Sequence, residues 1–204
     1  MPQRNVAIVI FDEVEVLAFT GPYEVFSTTG SQDEVKPFNV YTVTVADKLK
    51  PVLARNALSV NPDYTLANCP PPDILLIPGG FGTRREMNNS VLLDWIGQQA
   101  PSVELLLSVC TGALILGRAG LLDGLNSTTH HSEFDLLRKA APKTNVQPGE
   151  RYIDNGQVIT SAGVSAGIDL SLYVVKRLLG EDEAIKTAQD MEYNWNPQEE
   201  HQPI

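Results

Sequence analysis

The sequence predicts an α/β fold with a mostly parallel central sheet, and three observations lead there. Short apolar runs alternate with helical patterns along the chain, as βαβ units do. The runs "NVAIVIF" (5–11), "DILLIPGG" (73–80) and "VELLLSV" (103–109) are nearly continuous in apolar residues, as strands buried on both faces are. No repeat or linker divides the 204 residues, so one domain over 1–204 is expected, long enough to bury a proper core.

Taken in order, "NVAIVIF" is the first strand, and "GPYEVFSTT" (21–29) a short helix with Pro22 in its first turn, where the missing N–H costs nothing. "PFNVYTVTVA" (37–46) alternates with period two, a half-buried strand. "LSVNPDYTL" (58–66) reads as an edge strand stopped by Pro62. "DILLIPGG" is a buried strand ending in glycines, "SVLLDWIGQQA" (90–100) has helical spacing, and "VELLLSV" is the next buried strand. "TGALILGRAGLL" (111–122) continues as a helix that frays at Gly120. "SEFDLLRKAAP" (132–142) is a helix with Ser132 as N-cap and Pro142 as stop. "RYIDNGQVITSAG" (151–163) is a hairpin about Asn155-Gly156. "SAGIDLSLYVVKRLLG" (165–180) is a long amphipathic helix closed by Gly180, and "DEAIKTAQDMEYNW" (182–195) the last helix. From about 196 the tail is polar and extended.

Composition narrows the partners. Fifteen Lys and Arg stand against 25 Asp and Glu, a net charge of −10, and the cations are scattered. Nucleic acid and anionic membranes are disfavoured partners. No apolar stretch reaches the roughly eighteen residues of a membrane span. The opening "MPQRNVAIVIF" lacks a small-residue cleavage site and reads as a strand, not an export signal. The two cysteines, Cys69 and Cys110, are therefore expected as free thiols in a reducing cytoplasm.

Cys110 stands where "VELLLSV" meets "TGALILG", with no loop residue between strand and helix. Such a junction lies at the carboxyl end of a central strand, where open α/β sheets bind ligands. The start of the following helix favours an anion, so the thiol's pKa is expected to be lowered. The bland alternative is a small buried hydrophobe, and the position favours the reactive reading. Cys69, in the rigid loop "ANCPPPD", has no helix behind it and reads as filler.

The blocks "FDEVEVLAFTGPYEVF", "IPGGFG", "SVCTGALILGRAGLLDG", "TTHHSEFDLL" and "SAGVSAGIDLSL" occur in this order. Together they resemble the DJ-1/PfpI superfamily, and within it isonitrile hydratases and the sensor domains of some AraC-type regulators. The resemblance runs from about residue 5 to about 195. It implies a flavodoxin-like three-layer sandwich, a homodimer, a small-molecule substrate or ligand, and no cofactor. It also implies that Cys110 is the nucleophile, with the backbone N–H groups of Gly80 and Thr111 as an oxyanion hole. The glycines of "PGGFG" suit that role, and suit a tight turn equally.

One departure stands out. Catalytic members carry an acid four residues before the Pro of the "TGP" block, and here that position is Ala18. A methyl group moves no proton, so a general acid–base role vanishes from that place. Glu13 and Glu15 share the loop, but a solvated acidic turn is the preferred reading of both. Glu24 fits a place where family members carry an acid near the dimer-facing side of the site. His130 matches a histidine that some members hold near the cysteine, and it fits a helix cap as well. Adjacent histidines cannot share one metal from a regular element, so no metal site is expected.

Thr111 stands where peptidase-type members place a His, and "SAGVSAGID" lacks the late H-x-E of glutamine amidotransferases, so both activities are disfavoured. "SAGVSAG" lacks the Lys of a phosphate loop and reads as a small-residue turn, with Asp169 at the following helix start. Phe19, Phe81 and Trp195 read as core or dimer packing rather than pocket lining. Two functions remain. One is a cysteine-dependent hydratase or hydrolase; the other is a non-catalytic ligand-binding or redox-sensing domain, favoured by Ala18. A regulator is disfavoured, since the chain ends about where a sensor domain does and is acidic.

Overall fold

The computed structural model describes residues 3–31 and 34–196; the tail expected from about 196 lies outside them from 197 onward. The elements run β1 (Arg4–Ile10), α1 (Val16–Thr28), β2 (Phe38–Thr44), β3 (Val52–Leu53), β4 (Ser59–Val60), β5 (Tyr64–Thr65) and β6 (Ile74–Ile77). There follow α2 (Thr83–Glu86), α3 (Ser90–Gln99), β7 (Leu105–Val109), α4 (Gly112–Arg118), β8 (Asn126–Ser127) and α5 (Phe134–Ala140). The last are β9 (Asn145–Val146), β10 (Tyr152–Asp154), β11 (Val158–Ser161), α6 (Ala166–Leu179) and α7 (Glu181–Asp190).

Seven strands form one sheet in the order β10-β11-β7-β6-β1-β2-β5. Every pairing is parallel except the β10–β11 hairpin. The central strands are buried along almost their whole length, which is why their sequences are apolar at every position rather than at alternate ones. Helices α1, α6 and α7 pack as one group, and α2, α3, α4 and α5 as another, giving the three layers. β1 is flanked by β2 on one side and β6 on the other, so the strand order reverses there. The crevice at such a reversal opens at the carboxyl ends of the strands. Into it run the segment after β1, the Pro78-Gly79-Gly80 turn after β6, and Cys110 after β7.

Several boundaries differ from expectation. α1 starts at Val16, five residues early, and carries Pro22 in its interior. Proline there removes one backbone bond, but Ala18, Phe19, Val25 and Phe26 are buried by the same helix, and their burial holds it. Pro62 splits the expected edge strand: β4 pairs with β3 in a small hairpin, and β5 edges the main sheet. His130, not Ser132, caps the turn before α5, its ring nitrogen accepting from the Ser132 N–H. The last helix ends at Asp190 rather than Trp195, and Glu192 follows in the left-handed region.

Candidate functional site

Cys110 has φ 58°, a left-handed backbone that a side-chain-bearing residue rarely adopts. The neighbours hold it there. Its N–H reaches the carbonyls of Ser161 (3.2 Å), the last residue of β11, and Ala162 (3.0 Å), the next. Its carbonyl accepts the Thr129 hydroxyl at 2.9 Å. Close approach of β6 and α4 completes the elbow: a Cβ on Gly112 would lie 2.0 Å from the Ile77 carbonyl oxygen. A Cβ on Gly79 would lie 2.6 Å from the Thr111 nitrogen and 2.7 Å from the Cys110 Cβ. Only glycine allows either approach.

The thiol differs from expectation. Cys110 is 5% exposed, and burial pushes its thiol above the ordinary value rather than below it. The backbone N–H groups of Thr111 and Val164 and the Thr111 hydroxyl favour the thiolate, and the charge of Glu15 opposes it. Desolvation is the largest of these effects and decides the direction.

The donors also differ. The Gly80 N–H, expected to face a ligand, donates to Thr111 Oγ1 at 2.9 Å, and the Thr83 hydroxyl donates to the same oxygen at 3.1 Å. The N–H groups that favour the thiolate belong to Thr111, expected as an oxyanion donor, and to Val164, not among the expected residues. Val164 has φ 50°, strained for a β-branched residue. The signal was present in "SAGVSAG", where glycine and small residues surround a single valine.

His130 is brought to the elbow. Its ring lies against Gly163, where a Cβ would sit 2.3 Å from His130 Cδ2. The Ser132 N–H donates to Nδ1 at 3.3 Å, and the Ser132 hydroxyl lies 2.9 Å from the same nitrogen. His130 therefore both caps a turn and packs against the segment that follows β11. Burial and the neighbouring His131 lower its pKa, while Glu133 and Glu15 act in the opposite sense. Glu24 is not brought there. It is exposed on α1, its carboxylate accepts the Thr28 hydroxyl at 3.2 Å, and its charge is not among those acting on Cys110 or His130.

Glu15 is the acid at the site. Its N–H donates to the Gly79 carbonyl at 2.9 Å, its carboxylate lies 4.0 Å from Arg55 Nε, and its charge reaches both Cys110 and His130. Phe81, expected as packing, is 59% exposed. The Arg55 and Arg84 guanidiniums lie over its ring at 5.3 and 4.6 Å. Phe19 is core and Trp195 packs against it. Asp169, at the start of α6, receives Arg151 and the Tyr193 hydroxyl.

Beside the elbow lies a cleft of about 520 Å³ lined by Thr129, His131, Phe134, Pro148, Glu150 and Ala162 among others. Its size suits a small molecule. Both cysteines are free thiols. Among the described residues no three His, Cys, Asp or Glu side chains converge as a metal site needs, and no helix is long and apolar enough to cross a membrane.

Comparison with known sequences matches the DJ-1/PfpI family profile to residues 4–177. The chain belongs to the DJ-1/PfpI family. An isonitrile hydratase from Pseudomonas putida is 34% identical over 190 residues, covering 93% of this chain and 78% of that protein. The HTH-type transcriptional regulator CdhR from Pseudomonas aeruginosa is 30% identical over 189 residues, 88% of this chain but only 56% of the regulator. Among solved structures, a ThiJ/PfpI family protein from Pseudomonas syringae superposes with a TM-score of 0.85 at 29% identity, covering 97% of this chain and 78% of that one. Drosophila melanogaster DJ-1beta, at 17% identity and a TM-score of 0.81, shares the fold.

Proposed function

We propose that the chain is a cysteine-dependent hydratase of small electrophilic molecules, with Cys110 as nucleophile. The observation that carries this reading is the left-handed elbow at Cys110, held by its N–H on the Ser161 and Ala162 carbonyls and by the close approach that only glycine at 79 and 112 allows. Backbone strain of this kind is retained where it serves a site. Similarity to an isonitrile hydratase over most of both chains supports the substrate class.

For an isonitrile, Sγ adds to the terminal carbon as a proton reaches that carbon, giving a thioimidate. Water then adds to the same carbon and the C–S bond breaks. The products are an N-substituted formamide and the free thiol. Thr111 and Val164 N–H groups hold the sulfur on line, and the adjoining cleft takes the organic group. Gly80 joins as an oxyanion donor when a ligand oxygen replaces the Thr111 hydroxyl on its N–H. His130, neutral and beside the elbow, steadies the charge that forms. We place the protein in the cytoplasm, in keeping with its two unpaired thiols, and as a homodimer.

The test is hydration of a small alkyl isonitrile, followed by formamide formation. Turnover by the wild-type chain that Cys110→Ala abolishes is the expected result. Turnover that survives Cys110→Ala sinks the nucleophile. A second reading, a domain that binds its ligand without turnover, draws on Ala18 in the family's acid position. It predicts saturable ligand binding with no formamide. A redox-sensing version fares worse, because a thiol kept protonated by burial oxidises slowly.

A further inference from the structure

Two buried hydroxyls close on one peptide group beside the elbow. The Gly80 N–H donates to Thr111 Oγ1 at 2.9 Å, and the Thr83 hydroxyl lies 2.7 Å from the Gly80 carbonyl oxygen and 3.1 Å from Thr111 Oγ1. The Thr111 hydroxyl in turn lies 3.2 Å from the Gly80 carbonyl. Thr83 opens α2 and is fully buried, and Thr111, just before α4, is buried as well. Gly79 sets this cluster beside the thiol-bearing residue: one Cβ there would meet the Cys110 Cβ at 2.7 Å and Thr111 Oγ1 at 2.8 Å. A hydroxyl carries one proton and turns freely about its C–O bond. Thr83 therefore has two acceptors within reach of its single proton, and the Gly80 carbonyl has two hydroxyls within reach.

We propose that Thr83 is a positioning residue that releases the Gly80 N–H to a substrate oxygen. The inference deepens the hydratase reading and rests on it. In the resting site the Thr83 proton serves both of its acceptors, and Thr111 Oγ1 holds the Gly80 N–H. When water adds to the thioimidate carbon, its oxygen takes over the Gly80 N–H. Thr83 then turns its proton wholly onto Thr111 Oγ1, and Thr111 turns its own onto the Gly80 carbonyl. Each proton stays on its own oxygen, no covalent bond changes in the exchange, and every buried polar atom keeps a partner. Without the Thr83 hydroxyl, the Gly80 N–H is the donor left to Thr111 Oγ1 among the described residues. Giving it up would strand a buried acceptor, which is costly, so the Gly80 N–H stays where it is. An isonitrile carries no oxygen, so formation of the thioimidate does not call on the exchange; its hydrolysis does.

The experiment compares wild type, Thr83→Val and Thr83→Ser. Valine keeps the shape and removes the hydroxyl, while the backbone N–H of residue 83, on the Gly80 carbonyl at 3.2 Å, holds the turn in all three. Reactions with n-butyl isonitrile are quenched over time, and the thioimidate on Cys110 is followed by intact-mass spectrometry. Thr83→Val is expected to form the adduct within threefold of the wild-type rate. It should hydrolyse that adduct about 10²-fold more slowly, as loss of an oxyanion donor does, so the adduct accumulates. Thr83→Ser is expected to hydrolyse it within threefold of wild type. Hydrolysis by Thr83→Val within threefold of wild type overturns the proposal. So does adduct formation that slows as much as hydrolysis, or a serine variant that behaves like valine. A second measurement stands apart from turnover: amide NMR of Gly80 during titration with N-butylformamide, which offers a carbonyl oxygen. The Gly80 resonance is expected to move in wild type and Thr83→Ser and to stay in place in Thr83→Val. If the wild-type chain hydrates no isonitrile, the hydratase reading fails by itself, and the titration decides Thr83 alone. A Gly80 resonance that stays in place in wild type, or moves as far in Thr83→Val, ends the role of Thr83.

Discussion

At the residue scale burial decides both titrating groups, against hydrogen-bond donors at Cys110 and against the Glu133 and Glu15 charges at His130. Cys110 keeps its proton above the pH at which an exposed thiol loses it, and His130 sheds its proton below the ordinary imidazole value. For His130 the consequence has a definite sign. A folded-state pKa below 6.5 means its contribution to stability is complete above that pH and is lost as pH falls through the lowered value. An NMR titration of the imidazole C–H resonances is expected to place the His130 midpoint below 6.5. A midpoint at or above that value means that Glu133 and Glu15 outweigh burial. The neutral ring also limits what His130 can do at neutral pH: it carries no charge of its own.

At the scale of elements, the elbow exists because β6, β7 and α4 approach more closely than side chains permit. β7 and β11 run parallel in register, Val109 beside Ser161, so Cys110 leaves the strand level with Ala162 and takes its hydrogen bonds from there. β6 ends one strand away, and its Ile77 carbonyl occupies the space that a side chain at 112 would need. Gly112→Ala places a methyl carbon against backbone, which cannot rotate aside, so α4 has to shift as a body. Overpacking of that kind costs about 1–3 kcal/mol. Urea denaturation is expected to show a loss in that range, with Cys110 alkylating faster as the elbow loosens. A variant as stable as wild type, with an unchanged alkylation rate, contradicts the close approach.

At the scale of the whole molecule, the sheet was legible because strands buried on both faces announce themselves: "DILLI" and "VELLLSV" leave no alternative to central strands, and a thiol directly after one is placed by topology alone. What stayed hidden depends on neighbours distant in sequence. The raised Cys110 thiol, the occupied Gly80 N–H and the αL backbone at Val164 arise from contacts among segments tens of residues apart. Glu15 looked like a solvated turn because nothing local ties it to Arg55, and Glu24 was named from the family resemblance alone. Helix α1 also bears on assembly. Leu17 on α1 is 39% exposed, and Leu53 and Leu58 on the β3–β4 hairpin are 51% and 46% exposed. The hairpin is joined to the segment leading into α1 by the Glu13 N–H on the Leu53 carbonyl, and Ala54 bonds Leu58. Apolar side chains this exposed on adjoining elements favour a covering surface, and in a homodimer the same patch of a second copy supplies it. Sedimentation at micromolar concentration is expected to give twice the mass of one chain. Leu17→Glu with Leu58→Glu should halve that mass without loss of helical circular dichroism, because neither side chain belongs to the core. A wild-type chain that sediments alone removes the dimer, and a double variant that still pairs moves the interface to another face.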